Sequence, residues 1–451
     1  MTTKENDLLL AFYGDDFTGS TDALEFLSRA GAKTILFMKP PCPEQLKRYP
    51  GLQAIGIAGR SRSLSSPEME KELRTAFSAL EALGVPHVHY KVCSTFDSSP
   101  ATGSIGKAMD IGSAVFPSEF IPVLGGAPAL GRYCVFGNLF ARMGIGSNGA
   151  IYRLDRHPSM SKHPVTPSDE SDLRLHLSRQ TKKKIELMDI LQLADIVGAQ
   201  KALRTMIAAG GEAVLFDALR EEQMVGIGQL IDNYAEQGCP LFSVGSSGIE
   251  MALGAWWIQQ GRLIPPQSWA APGNVGPLLV ASGSCSPVTA GQIVWARSQG
   301  FIEIELDAAA IAVNGLTPSL LEQYVLQVVP IIKQGHSVII HTGGTGIQNE
   351  KIKEMPGAAT AEVFGTALGF IVKAVAAQTA LKRVVIAGGD TSGYAASALG
   401  IEAVEMIAPL SPGAPLCRAY APGSPIDGME INLKGGQVGS EDYFGKVLEG
   451  I

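Results

Sequence analysis

The stretch LLLAFYGDDFTGSTDALEFLSRA, residues 8–30, decides the fold of this chain. Its apolar start, residues 8–12, predicts a buried strand, and the amphipathic residues 20–30 predict a helix that begins near Gly19. A short loop with glycine and two aspartates joins the two elements. A strand followed at once by a helix is the first half of a β-α-β unit, so this stretch predicts a parallel sheet.

The same alternation of short apolar runs and amphipathic stretches continues along the chain. Further strands are predicted at 34–37, 54–57, 87–91, 213–216, 241–244, 277–281, 301–306, 338–341 and 384–387. Further helices are predicted at 67–83, 221–237, 289–299, 318–333, 361–381 and 441–448. Residues 118–165 interrupt this pattern with glycine and proline, and they predict an insertion or lid with a hairpin strand at 133–136.

A segment rich in proline and glycine at 262–276 predicts a linker, because Pro265 and Pro266 cannot continue a helix. We therefore predict an α/β protein of two domains, residues 1–264 and 275–451. Each domain is expected to contain a mainly parallel sheet, with an interdomain cleft between the two.

Composition and charge exclude several classes of function. The chain has 451 residues, 46% of them hydrophobic, and a formal net charge of −7, whereas a nucleic-acid binder needs a basic face. No apolar run reaches the roughly 18 residues of a membrane span. The six cysteines show no CxxC spacing that would indicate a zinc site. We expect a soluble cytoplasmic protein with reduced thiols and with neither nucleic-acid nor membrane partners.

Polar residues follow three predicted strands in the first half of the chain. Asp15 and Asp16 follow the first strand, where carboxylates can orient hydroxyls, hold Mg²⁺ through water or act as a general base. One of them can instead simply cap the helix. Arg60 can grip a carboxylate, unless it belongs to a solvated loop. The strand at 87–91 is followed by polar side chains suited to a hydroxylated acid: Lys91, Ser94, Thr95 and Asp97.

Glycine-rich loops follow predicted strands in the second half. Residues 387–393 (AGGDTSG) and 281–287 (ASGSCSP) each stand between a strand and a helix, and loops at 341–346 and 433–439 are similar in composition. Glycines let backbone N–H groups approach a phosphate, and a helix N-terminus adds positive charge. Each loop alone can be an ordinary turn, but parallel strands would bring them to one edge of a sheet.

These segments resemble the four-carbon acid sugar kinase family nearly from end to end. The resemblance rests on GDDFTGSTDALEFLSRAG at 14–31, KVCSTFDSS at 91–99, SGSCSPVTAGQI at 282–293 and AGGDTSGYAASALG at 387–400, and on LSPGAPLCRA and LKGGQVGSEDYF near the C-terminus. It implies ATP- and Mg²⁺-dependent phosphorylation of the terminal hydroxyl of acids such as threonate, erythronate or oxo-tetronate. It further implies an N-terminal domain that holds the acid sugar and a C-terminal domain that holds the nucleotide.

Carried over residue by residue, the resemblance implies two sets of contacts. Contacts to the sugar acid are expected from Asp16 (with Asp15), Arg60, Lys91, Cys93, Ser94 and Thr95. Contacts to ATP are expected from Ser282, Ser284, Gly388, Gly389, Asp390, Thr391, Gly435 and Gly436, and Asp390 is also the candidate metal ligand. Asp16 is the preferred general base or hydroxyl orienter, and Asp15 is the second candidate.

The loop at 91–98 departs from the family pattern. Many members read K-x-D-S-T-L-R-G there, whereas this chain has Cys93 in place of the acid and Asp97 in place of the arginine. Replacing the positively charged guanidinium of an arginine by a carboxylate changes which anion the loop can bind. The AGGDTSG loop also has Asp390 where glutamate is common.

We therefore predict an ATP-dependent kinase that acts on a small sugar acid, with a homodimer as its expected assembly. One alternative is an NAD(P)-dependent dehydrogenase of a hydroxy acid, which the absence of GxGxxG after the first strand disfavours. Another is a non-catalytic acid-sugar binding protein or sensor.

Overall fold

Two compact units make up the chain, and the division falls between Gln267 and Ser268, inside the predicted linker. The structure is a computed structural model that describes residues 8–144, 149–163, 165–236, 239–284, 286–308, 310–311, 316–343 and 357–451. Strands and helices alternate through most of these residues, so the prediction of an α/β fold with mainly parallel sheets is confirmed. The boundaries at 264 and 275 and the interdomain cleft stay predictions.

The first unit is built on a sheet of eight parallel strands. In chain order its strands are β1 (Leu10–Gly14), β2 (Thr34–Phe37), β3 (Ala54–Ala58), β4 (His87–Lys91), β5 (Ile121–Leu124), β9 (Ile185–Met188), β10 (Ala213–Phe216) and β11 (Leu241–Gly245). Their order across the sheet is β2-β3-β1-β4-β11-β5-β10-β9. The strands β1 and β4, which the sequence singled out, are therefore neighbours near the middle of the sheet.

Eight helices accompany this sheet within the described residues: α1 (Phe17–Arg29), α2 (Pro43–Leu46), α3 (Ser66–Glu81), α4 (Ile105–Val115), α5 (Leu173–Ser178), α6 (Ile196–Ala208), α7 (Gln223–Asp232) and α8 (Gly248–Gln259). The side chains of Leu73 and Phe77 on α3 are fully buried with those of Tyr13 and Tyr90 from the sheet. Burial of each such large apolar side chain stabilises the fold by about 1.5–3 kcal/mol. This packing holds β1 and β4 rigidly under the loops that follow them.

The predicted insertion contains a small antiparallel sheet. Strands β6 (Arg132–Val135), β7 (Asn138–Arg142) and β8 (Ile151–Arg153) form it in the order β6-β7-β8. The hairpin strand predicted at 133–136 corresponds to β6. The residues of β6 alternate between buried and half-buried, so one face of this sheet packs inward.

The second unit contains a seven-stranded sheet of mixed direction. Its strands are β12 (Leu279–Ser282), β13 (Ile302–Glu305), β14 (Val338–His341), β15 (Arg383–Ala387), β16 (Ala403–Ser411), β17 (Ala414–Tyr420) and β18 (Glu430–Lys434). Strands β13-β14-β12-β15-β18 are parallel in this order, and β17 and β16 extend the sheet in antiparallel pairs. Its described helices are α9 (Pro287–Ser298), α10 (Pro318–Lys333), α11 (Gly357–Ala376), α12 (Gly389–Leu399) and α13 (Tyr443–Glu449).

Several elements of both units are not among the predicted ones. The long hairpin of β16 and β17 was missed, as were β5 and β9 and the helices α4 and α6. Among the described helices, none has the length and apolarity required to traverse a lipid bilayer.

Candidate active site

The carboxyl ends of four neighbouring strands meet at one edge of the first sheet. Gly14 at the end of β1 is aligned with Ala58 of β3 and with Lys91 of β4, and Lys91 is aligned with Gly245 of β11. The loops that begin here therefore lie side by side, as expected for a ligand site in an open parallel sheet. Three of these four loops carry the residues that the sequence assigned to the sugar acid.

Asp15 is fixed by its backbone on both sides. Its N–H donates to the carbonyl of Lys91 over 2.8 Å, and its carbonyl accepts from the N–H of Arg62 over 3.0 Å. Its side chain is 1% exposed; Oδ2 accepts a 3.4 Å bond from the Cys93 N–H, while Oδ1 has no hydrogen-bond partner among the described residues. Burial, together with the negative charge of Asp16, raises the pKa of Asp15 well above its ordinary value.

Asp16 has a different environment. It is the N-cap of α1 and accepts bonds from the Gly19 N–H (3.0 Å) and the Thr18 hydroxyl (3.1 Å). Arg62 lies 3.1 Å from its carboxylate. Burial raises the pKa of Asp16, but the positive charges of Arg62 and Lys91 outweigh it, and the pKa is lowered overall. The capping interpretation thus holds for Asp16, whereas Asp15 is left with an unused acceptor.

Lys91 is fully buried and paired. Its Nζ lies 3.0 Å from Oδ1 of Asp22 on α1 and donates to the Val92 carbonyl over 2.9 Å. Burial lowers the pKa of Lys91, but Asp22, Asp16 and Asp15 outweigh it, so the ammonium stays charged. Burial raises the pKa of Asp22 to about 6 against the opposing effect of Lys91. The sequence analysis did not identify Asp22 as a site residue. The signal that could have identified it is a carboxylate on the buried face of an amphipathic helix, because such a group needs a partner.

The loop after β4 turns sharply and is buried. Phe96 adopts φ = +54°, in the left-handed region that non-glycine residues rarely occupy. This turn places Asp97 3.9 Å from Arg62, and Oδ1 of Asp97 is buried without a hydrogen-bond partner in the described part of the chain. Cys93 lies 3.2 Å from the Thr95 hydroxyl, and burial, with the charge of Asp97, raises the pKa of its thiol to about 12. Cys93 is therefore a neutral thiol at physiological pH.

The two arginines of the Arg60–Ser61–Arg62–Ser63 segment have different positions. Arg60 is exposed, whereas Arg62, two residues later in a short 3₁₀ turn, faces Asp16 and Asp97. Arg60 stays a prediction as a substrate contact. Arg132, which the sequence analysis did not single out, joins the site from β6 by donating from Nε to the Ser94 hydroxyl over 3.1 Å.

The glycine-rich loops of the second unit also converge. The Gly283 N–H donates to the Ala387 carbonyl, and the Gly388 N–H donates to the Lys434 carbonyl, which joins the ends of β12, β15 and β18. A Cβ on Gly283 would lie 2.5 Å from the Thr391 side chain, and one on Gly436 would lie 2.9 Å from the Ser284 hydroxyl. The predicted ATP contacts from these three loops therefore lie together.

Helix α12 begins directly at this convergence. Gly388 precedes its first residue and adopts φ = +141°, a conformation that favours glycine. The first N–H groups of a helix lack intrahelical partners and attract anions. Ser282 accepts from the Ser284 N–H, and Ser284 from the Ser286 N–H, within the adjoining loop. The side chain of Asp390 and the residues beyond 343 in the 341–346 loop lie outside the described residues.

Lys434 is a buried lysine beside the Gly435–Gly436 turn. Its Nζ donates to the Thr289 hydroxyl and to the Gly435 carbonyl, both over 3.0 Å. Burial, with no charged neighbour opposing it among the described residues, lowers the pKa of Lys434 to about 7. Within the same described ranges, no group of three or more His, Cys, Asp or Glu side chains could hold a metal ion.

Both units match known domain families. Residues 10–253 match the sugar-binding N-terminal domain, and residues 279–444 match the nucleotide-binding C-terminal domain. The chain is similar to 3-oxo-isoapionate kinase of Paraburkholderia graminis, with 45% identity over 98% of this chain and 94% of that protein. It is also similar to 3-oxo-tetronate kinase of Pseudomonas savastanoi pv. phaseolicola, with 28% identity over 98% and 97%.

A solved structure shares the fold. It is that of a Salmonella typhimurium LT2 protein described as a candidate tRNA synthase, with 25% identity and a TM-score of 0.75. The similarity covers 97% of this chain and 98% of that one.

Proposed function

The chain belongs to the four-carbon acid sugar kinase family, and we propose that the acid it phosphorylates is a 3-oxo sugar acid. It is an ATP-dependent sugar-acid kinase, so the dehydrogenase and the non-catalytic binding protein are no longer needed as alternatives. The 3-oxo acid is favoured because the names of its curated relatives share that group. Within this class we propose 3-oxo-isoapionate ahead of 3-oxo-tetronate. The chain is 45% identical to the 3-oxo-isoapionate kinase and 28% identical to the 3-oxo-tetronate kinase.

The sheet edge of the first unit supports binding of a hydroxylated acid. Asp15 and Asp97 each have one buried carboxylate oxygen without a partner among the described residues. A buried acceptor left unsatisfied costs about 1–3 kcal/mol, so such atoms call for a donor that arrives with a ligand. Sugar hydroxyls are such donors. The unpaired Oδ1 of Asp15 is the observation that carries the assignment of this edge as the sugar-acid site.

We assign the role of general base to Asp15 rather than to Asp16. The Asp16 carboxylate is already engaged by Gly19, Thr18 and Arg62, whereas Oδ1 of Asp15 is available. In the reaction the attacking hydroxyl gives its proton to Asp15, and its oxygen bonds to the γ-phosphorus of ATP. The bond from that phosphorus to the bridging oxygen breaks, and ADP leaves with the bond's electrons. Arg62 and Lys91 lower the pKa of Asp16, and the ion pair of Arg62 with Asp16 helps to hold the geometry beside Asp15.

The convergent glycine loops fit a nucleotide triphosphate. A Cβ would lie 2.5 Å from Thr391 at Gly283 and 2.9 Å from Ser284 at Gly436, so glycine allows these loops to pack closely. Helix α12 begins beside them, and the first N–H groups of a helix lack intrahelical partners and attract anions. Ser284 and Thr391 provide hydroxyl donors. The described residues offer no three-ligand metal cluster. Mg²⁺ is therefore proposed to be held by phosphate oxygens and by at most one or two carboxylates, with Asp390 as the candidate.

The test is an ADP-release assay with the purified full-length chain and MgATP. It compares 3-oxo-isoapionate, 3-oxo-tetronate, threonate and erythronate, with a parallel NAD(P)H absorbance measurement. We expect ADP release with the 3-oxo acids and the highest kcat/KM with 3-oxo-isoapionate. A higher kcat/KM with threonate or erythronate would overturn the substrate class. The homodimer and the cytoplasmic location stay predictions, the first to be checked by light scattering.

A further inference from the structure

Arg132 reaches the sugar-acid site from the small antiparallel sheet. It is the first residue of β6 and lies opposite Ala141 of β7. Arg132, Cys134 and Ala141 are all buried, because they lie on the inward face of this sheet. An arginine on the inward face of a sheet is unusual, since this residue type is rarely buried without a partner.

The guanidinium of Arg132 is fixed by neutral acceptors. Nε donates to the Ser94 hydroxyl, and Nη1 donates to the carbonyl oxygens of Leu130 and Arg142, all three over 3.1 Å. The side chain is only 6% exposed. These three bonds go to uncharged oxygens, so they fix the group without neutralising its charge.

Arg62, Lys91 and Arg132 are the described cations of the site that are not exposed, and the first two are paired with carboxylates. Arg62 is paired with Asp16, and Lys91 is paired with Asp22. No Asp or Glu carboxylate in the described part of the chain lies within ion-pair distance of Arg132. Burial therefore lowers the pKa of Arg132, and Cys93, Asp97 and Asp22 act on it only from farther away. Since the Cys93 thiol is neutral, it supplies no balancing charge.

The hydrogen bonds around Arg132 leave two adjacent donors. Nη2 of Arg132 makes no bond to the described residues, and the Ser94 hydroxyl accepts from Nε, so its own hydrogen is free. One carboxylate oxygen can accept a hydrogen bond from Nη2 of the guanidinium, and the other can accept one from the adjacent hydroxyl.

Resting on the proposed function, we infer that Arg132 and Ser94 bind the carboxylate of the sugar acid. Arg132 is then a specificity-determining residue. From the antiparallel sheet it supplies a positive charge, which many family members have as an arginine in the loop after β4, where this chain has Asp97. The hydroxyls of the same substrate are left for the unpaired oxygens of Asp15 and Asp97.

The experiment compares the sugar acid with its primary amide as phosphoryl acceptor in the ADP-release assay. The amide has the same shape and lacks the negative charge. We expect the wild-type protein to prefer the acid and R132Q to raise the KM for the acid by about 10- to 100-fold. The KM for ATP should stay unchanged, and the ratio of acid to amide activity should fall toward one. S94A should raise the KM for the acid by a smaller factor.

Controls separate a binding role from a structural one. Arg156 lies in the same insertion but is exposed and pairs with Asp155, so R156Q should keep the wild-type preference. If R132Q does not fold, R132K keeps the charge but loses the second donor edge, and an intermediate preference is expected. An unchanged acid-to-amide ratio in folded R132Q or R132K overturns this inference. Absence of ADP release by the wild-type protein with every sugar acid overturns the proposed function instead.

Discussion

Asp15 and Asp16 are consecutive residues whose carboxylates have opposite surroundings. Arg62 lies 3.1 Å from Asp16, while Oδ1 of Asp15 is buried without a partner among the described residues. Burial and the charge of Asp16 raise the pKa of Asp15, whereas the positive charges of Arg62 and Lys91 outweigh burial and lower the pKa of Asp16. Neighbouring titratable groups with divergent pKa values are typical of sites that divide acid–base work between them.

Substitution D15N should abolish most of the turnover. Loss of a general base reduces kcat by about 10²–10⁴-fold, and the KM for ATP should not change because the proposed ATP contacts come from other residues. Steady-state ADP release measures both quantities. D16N is the matched control, since asparagine is as good an N-cap as aspartate, and we expect it to keep more activity than D15N. The reverse ranking would return the role of base to Asp16.

The pH profile of kcat/KM should have an acidic limb above the pH of about 4 expected for an ordinary aspartate. Asp15 must be ionised to accept a proton, and its pKa is raised by burial and by Asp16. D16N removes the negative charge beside Asp15, so the pKa of Asp15 should fall and the acidic limb of the profile should move to lower pH. Measurement of kcat/KM from pH 4 to 8 in both proteins tests the sign of this shift, and a limb that moves upward contradicts it.

Removal of Arg62 should be more damaging than removal of Arg60. R62A leaves the buried Asp16 carboxylate without its cation, and we expect a loss of about 10- to 100-fold in kcat/KM. R60A removes an exposed side chain and should remain within about threefold of the wild type, given that most surface substitutions have small effects. Equal losses in the two variants would establish Arg60 as the substrate contact expected from the sequence.

Substitution G388A should weaken nucleotide binding selectively. Alanine is strained at φ = +141°, and its Cβ would lie 3.0 Å from that of Thr391. We expect the KM for ATP to rise by about tenfold or more, as for the loss of a bond to a charged group, while the KM for the sugar acid stays the same. G291A in α9 is the control because a Cβ there meets nothing within 4 Å. A rise confined to the KM for the acid would be incompatible with the assignment of these loops.

Lys434 should make stability depend on pH. Its pKa in the folded protein is about 7 because of burial, compared with about 10.4 in an unfolded chain. Between these values the unfolded state binds a proton that the folded state does not. The free energy of unfolding therefore rises with pH by up to about 1.4 kcal/mol per unit.

Urea unfolding of the wild type and K434M at pH 7, 8 and 9 tests this expectation. The stability of the wild type relative to K434M should increase with pH across that window, and no such trend should separate the wild type from K446M, which replaces a partly exposed lysine. A constant difference between wild type and K434M would show that Lys434 is charged throughout.

The periodicity of apolar residues predicted a large part of the fold, and the polar residues after the strands predicted a large part of the candidate site. Apolar runs followed by amphipathic stretches identified β1, β4 and α1, since local patterning suffices for β-α-β units. The hairpin of β16 and β17 was missed although Pro412 and Gly413 form a turn signal, because Pro409 and Pro415 lie within its two strands and proline in an apolar run argues against a strand. The loops after β1 and β4 were identified as site candidates because polar residues directly after buried parallel strands indicate a ligand site.

The residues that were missed depend on tertiary packing. Asp22 is directed to Lys91 by the rotation of α1, and Arg132 is directed to Ser94 by an insertion far away in the chain. Arg60 and Arg62 differ by two positions, and only the 3₁₀ turn Ser61–Ser63 decides which of them faces inward. Composition and spacing contain none of this information.

The antiparallel strands β6, β7 and β8 pair in a sheet of their own, separate from the parallel strands at whose ends Asp15 and Lys91 lie. Substitutions in this small sheet can therefore change the surroundings of Ser94 while every strand of the parallel sheet keeps its sequence. Residues 132–153 contain the three antiparallel strands and none of the parallel ones, so exchanging this segment between paralogues is a route to enzymes with new acid preferences.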